Sequence, residues 1–141
     1  MSIKVGNNKQ NEGLTTARRN RCILIVEDEP SLLIALVDKF TRAGFTVMVA
    51  EDGQKGLTLA IKTHPDLILL DIIMPVMDGL TMLDELRHDS WGKQAKVVLL
   101  TNLSEPNKVN RQFTDEVSGY LVKSDWKITD VVNQVIEKLA E

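Results

Sequence analysis

Four short apolar runs in this 141-residue chain end in side chains able to do chemistry. "CILIV" runs into Glu27, Asp28 and Glu29; "DLILL" into Asp71; "KVVLL" into Thr101; "GYLV" into Lys123. A strand built only for packing has no use for a charged residue at its end. Two carboxylates at about 4 Å repel by roughly 4 kcal/mol at an effective dielectric of 20, so Asp28 and Asp71, once brought together, need a cation or a proton. Mg²⁺ takes oxygen ligands, keeps several waters, and is commonly held by one or two carboxylates with phosphate oxygens completing the shell. No His or Cys stands near these positions, which argues against zinc. Beside such a metal, a lysine and a hydroxyl supply parts for phosphoryl transfer. Asp71, central among them, is the expected carboxylate nucleophile.

The elements that must position these residues follow from the patterning. The apolar runs at 22–26, 45–50, 66–70, 96–100 and 119–122 are continuous rather than alternating, as suits parallel strands covered on both faces. Between them the spacing predicts helices over 31–43, 53–63, 79–88, 105–115 and 127–140. Asp52 and Asp78 stand as caps before the second and third, Ser104 and Pro106 open the fourth, and Gly44 closes the first. In the last, Ile128, Val131, Val132, Val135, Ile136 and Leu139 recur at three and four. Strand–helix alternation of this kind builds an α/β sheet whose working site lies beyond the carboxyl ends of the strands.

Length and composition fit one globular domain over 21–141, long enough to bury a core. Residues 1–20 are polar without sustained periodicity and are expected to form a mobile arm. A net charge of −3 argues against direct nucleic-acid binding. No run approaches the length of a membrane span or a secretion signal, and Cys22 has no cysteine to pair with, so a cytoplasmic setting is expected.

From Cys22 onward the chain resembles the receiver domain of two-component response regulators: "ILIVEDEP", "LILLDIIMPVMDG", "VVLLT" and "GYLVK" occur in that family's order. The resemblance implies a flavodoxin-like, doubly wound five-stranded parallel sheet of order 2-1-3-4-5 with helices on both faces. It implies Glu27 and Asp28 as the acidic pair, Asp71 as phosphoacceptor, Thr101 as switch hydroxyl, Lys123 as the family's lysine and Tyr120 as switch aromatic. The Ile73 backbone carbonyl becomes a further Mg²⁺ ligand. The implied partners are a histidine kinase or histidine phosphotransfer protein and a downstream protein target, met through the face of the fourth helix, fifth strand and fifth helix. A homodimer is compatible with that reading. The protein is then a signalling domain that assists its own phosphorylation and dephosphorylation rather than an enzyme.

Other features depart from the family or compete with it. Ser124 follows Lys123 where the family usually has proline, so the loop through Asp125 and Trp126 is expected to differ in shape, with Trp126 as a partner contact. Asn102 replaces a smaller residue. On the first helix Leu32, Ala35, Leu36 and Phe40 form a core stripe, which leaves Ile34 and Val37, with Leu33 at the margin, either as an apolar strip for a kinase helix or as part of a wide buried face. Three rivals stand beside the switch reading. One is a structural ion cluster, another a receiver-like interaction module that does not use phosphate. The third, a Mg²⁺-dependent phosphatase of the haloacid dehalogenase type, needs a second aspartate where Ile73 stands. His64 and His88 are expected to be solvated. Whether the chain is a stand-alone receiver or part of a longer regulator is left open.

Overall fold

The apolar runs become the strands of one parallel sheet. The computed structural model describes residues 21–101, 117–122 and 127–140, with backbone alone at Thr101 and Val122. In chain order these form β1 (Cys22–Val26), α1 (Pro30–Arg42), β2 (Thr46–Ala50), α2 (Gly53–Thr63), β3 (Leu67–Asp71), α3 (Gly79–Arg87), a 3₁₀ turn (Gly92–Gln94), β4 (Val97–Thr101), β5 (Gly119–Val122) and a C-terminal helix (Ile128–Leu139). The sheet order is β2-β1-β3-β4-β5, every pair parallel. This is the flavodoxin-like order expected from the sequence. The predicted helix over 105–115 and the arm over 1–20 lie outside the described residues.

Successive strand side chains point to opposite faces, and both faces are buried. Leu24 and Val26 of β1, with Ile68 and Leu70 of β3, pack under α2 and α3 on Leu57, Ala60, Met82, Leu83 and Leu86. Ile23, Ile25, Leu67 and Leu69 pack on the other face against Leu36 and Phe40 of α1 and Val131 and Val135 of the C-terminal helix. Leu67 to Leu70 are fully buried, at about 1.5–3 kcal/mol for each such side chain. β3 is therefore a rigid shelf for whatever its end carries.

Asp52, Asp78 and Gly44 punctuate their helices as the sequence marks. The Asp52 carboxylate accepts from the Lys55 N–H at 2.8 Å, and the Asp78 carboxylate from the Thr81 N–H at 2.8 Å. α1 ends at Ala43 and leaves through Gly44 at φ 101°, a conformation that favours glycine.

Three sequence expectations shift. β3 runs one residue later than 66–70, because the Asp66 carboxylate accepts from the Cys22 N–H at 2.6 Å, while the Ile72 N–H donates to the Leu100 carbonyl at 3.1 Å and prolongs the ladder past Asp71. His64 is exposed but not merely solvated: its ring stacks on Trp91, centroids 4.4 Å apart and planes 9° apart. On α1, Leu33 and Val37 are half-buried against the α1-side cluster, so the outward apolar strip narrows to Ile34, 69% exposed. No helix among the described residues is long and apolar enough to cross a membrane.

Candidate functional site

The register brings the acids to one level. Val26 lies opposite both Ala50 and Leu70, so Glu27 and Asp71 are the next residues along two adjacent strands. Asp71 in turn pairs with Leu100, and Thr101 with Val122. The ends of β1, β3, β4 and β5 thus meet at the carboxyl edge, where a doubly wound sheet forms its site.

One carboxylate oxygen from each of Glu27, Asp28 and Asp71 lies within 4.8 Å of the others. Their burial differs: Glu27 is 0% exposed, Asp71 4%, and Asp28 is exposed. Glu27 is sealed because its backbone extends the sheet, its N–H donating to the Ala50 carbonyl at 3.0 Å. Its side chain accepts from the Glu29 N–H at 3.0 Å, which fixes the carboxylate over the chain reversal into α1. Two buried carboxylates beside one open to water make an all-oxygen cup. A small hard cation that keeps part of its hydration shell suits that donor set, and Mg²⁺ fits it.

Asp71 is held from beneath by α3. The Gly79 N–H donates to the Ile72 carbonyl at 2.7 Å, and a Cβ on Gly79 would stand 2.1 Å from the Asp71 carbonyl oxygen. Only glycine lets the helix approach the strand end that closely. Beyond Asp71 the loop alternates: Ile72 and Met74 are buried, while Ile73 between them is 59% exposed at the mouth of the site.

Of the residues expected here, Glu27, Asp28 and Asp71 are brought together. Ile73 stands on the adjoining loop, and Thr101 is the last residue of β4. Tyr120 lies on β5 opposite Leu99, half-buried against the α2–α3 cluster. Lys123 and Trp126 lie outside the described residues, as do Asn102, Leu103 and Ser124. No local pattern marks Gly53, whose N–H donates to the Met77 carbonyl at 2.9 Å, or Val76 at φ 66°. Asp52-Gly53 reads simply as a helix start.

The chain belongs to the response regulator receiver domain family of two-component systems, whose family model matches residues 23–135. Curated relatives include the DNA-binding dual master transcriptional regulator RpaA of Synechocystis, 36% identical over 72% of this chain and 42% of that protein. Another is the transcriptional activator protein PfeR of Pseudomonas aeruginosa, 39% identical over 72% of this chain and 32% of that protein. The chain thus spans well under half the length of these relatives. Among solved structures, the chemotaxis response regulator CheY4 of Vibrio cholerae superposes with a TM-score of 0.77 at 27% identity, over 84% of this chain and 98% of that one. The response regulator TrrA of Thermotoga maritima, in complex with Mg²⁺-BeF, gives 0.72 at 29% identity, with coverages of 84% and 98%.

Proposed function

We propose that the protein is a phosphorylation-dependent signalling switch in which Asp71 accepts a phosphoryl group from a phosphohistidine on a histidine kinase or phosphotransfer protein. The observation that carries this is the cup of Glu27, Asp28 and Asp71 at the ends of β1 and β3, oxygens within 4.8 Å. A structural ion cluster has no need to leave one acid open to solvent beside two that are sealed.

An Asp71 oxygen attacks phosphorus in line with the departing imidazole; the P–N bond breaks, an acyl phosphate forms, and the imidazole keeps or gains its proton as it leaves. Glu27, Asp28, Asp71 and the Ile73 carbonyl are the groups that would hold Mg²⁺, and the bound ion would neutralise charge on the transferring oxygens. The buried β3 shelf and the Gly79 contact fix Asp71, so its oxygen is positioned before the donor arrives. Thr101 and Lys123 are assigned to bind the phosphoryl group, and Tyr120 to change its packing in response. The partner-facing surface around β5 then presents a different shape to a downstream target. Ile34 and Trp126 are assigned to the kinase-facing side. The Thermotoga relative solved with Mg²⁺-BeF supports the metal assignment by family membership.

The test is incubation with Mg²⁺ and a small acyl-phosphate donor, beside Asp71→Asn, followed by intact mass. One phosphoryl adduct on the parent and none on the variant supports the reading. An adduct on neither, with Mg²⁺ binding demonstrated, favours an interaction module that does not use phosphate.

A further inference from the structure

Between Asp71 and α3 the chain makes a turn that is costly in itself. Val76 has φ 66°, and the Met77 N–H donates to the Pro75 carbonyl at 2.7 Å, two residues back, so the three residues form a γ-turn of positive φ, the rare and strained form. A β-branched residue in the left-handed region is a genuine outlier. Packing does not offset it, since Val76 is 84% exposed. Strained turns of this kind persist only where the surroundings over-determine them.

Two backbone contacts do so. On one side lies the Gly79 contact to Ile72 within the strand–loop–helix unit that carries Asp71. On the other is Gly53, the first residue of α2, which belongs to a different unit. Its N–H donates to the Met77 carbonyl at 2.9 Å, and a Cβ there would stand 2.2 Å from that oxygen and 2.9 Å from its carbon. Gly53 is itself anchored, because buried Asp52 beside it caps α2 through the Lys55 N–H. The loop is thus built against a fixed point on α2.

We propose that Gly53 is a positioning residue for the cation site. Through the Met77 carbonyl it holds the Pro75–Met77 turn, and with it the loop carrying Ile73, in register with Glu27, Asp28 and Asp71. The inference rests on the Mg²⁺ reading above. It differs from a packing role in what it predicts for metal affinity.

Mg²⁺ titration by calorimetry and thermal unfolding are measured on the parent, Gly53→Ala, Gly56→Ala, and Gly53→Ala with Val76→Gly. Gly56 is the control: it lies on the same helix, and its Cβ would meet Val26 Cγ2 at 2.9 Å and Met82 Sδ at 3.1 Å, in the core rather than the loop. Gly53→Ala should weaken Mg²⁺ binding by about 10–100-fold, the range for removing a group that orients metal ligands. Gly56→Ala should lower Tm and leave Mg²⁺ affinity unchanged. In the double variant a glycine at 76 lets the Met77 carbonyl step back from the new methyl, so affinity should recover part of the way. Should Gly53→Ala not fold, the double variant carries the test, and its affinity must lie below the parent's. Parent affinity in Gly53→Ala, or an equal loss in Gly56→Ala, overturns the proposal. A parent that binds no Mg²⁺ overturns the metal reading itself, seen before any substitution is compared.

Discussion

Replacing Asp71 by asparagine should reverse the order of stability of parent and variant according to whether Mg²⁺ is present. Glu27 and Asp71 are both sealed from solvent, with oxygens no more than 4.8 Å apart. At that separation and an effective dielectric of 20, Coulomb's law gives a repulsion of about 3.5 kcal/mol. Hydrogen bonds and cations around the site offset part of this, so asparagine, which keeps the shape and removes the charge, should stabilise the metal-free protein by about 1–2 kcal/mol. At roughly 4 °C per kcal/mol for a domain of this size, that is a rise of about 4–8 °C in Tm. Mg²⁺ at a hundred times its Kd adds about 2.7 kcal/mol to the parent, while the variant, lacking a ligand, should gain little. Thermal unfolding followed by circular dichroism, in chelator and then in Mg²⁺, checks both halves. A variant no more stable than the parent in chelator would show that the Asp71 carboxylate is a net stabilising ion-pair partner, and the repulsion argument would fail.

Gly79→Ala would drive a methyl to 2.1 Å from the Asp71 carbonyl oxygen, so urea denaturation should show a loss of at least about 2 kcal/mol, and a smaller loss would mean α3 can slide. Ile73 and Leu103, two residues past Asp71 and Thr101, offer no hydrogen bond to a hydrolytic water; polar residues at both should shorten the half-life of the phosphorylated form, and an unchanged half-life would count against the idea. Burial, and then the Asp66 carboxylate, push the Cys22 thiol up from its ordinary 9.0. The unfolded chain therefore loses this proton first, so stability that is complete below pH 9.0 declines as pH rises through the raised value. Cys22→Ala should flatten that alkaline decline in equilibrium unfolding, and an identical slope would refute the assignment.

Much of this architecture is legible because the apolar runs are continuous and the turn residues unambiguous. Continuous runs mean strands buried on both faces, and Asp52 and Asp78 cap α2 and α3 as their positions before apolar-periodic stretches suggest. The site is legible for a related reason: a charge directly after a buried strand can face only the sheet edge. Sequence periodicity does not reveal that Glu27 is sealed while Asp28 is open, because that depends on the pairing of β1 with both neighbours and on the Glu27 N–H reaching the Ala50 carbonyl. It also misplaces Asp66, whose carboxylate serves the start of β1 by an interaction across 44 residues. Val76 reads as one more apolar residue after a proline. Its left-handed backbone is imposed by tertiary contacts from α2 and α3, which no local pattern encodes. The His64–Trp91 stack is hidden for the same reason.

Asp71 should be the residue that takes the phosphoryl group. The most direct measurement is to treat the protein with Mg²⁺ and an acyl-phosphate donor, reduce any acyl phosphate with borohydride, and map the peptides by tandem mass spectrometry. Hydride displaces phosphate at the carboxyl carbon and reduces it to the alcohol, leaving a homoserine at the modified position. Homoserine is expected at position 71, dependent on Mg²⁺ and on the donor. Homoserine elsewhere, or none while the parent binds Mg²⁺, would contradict it.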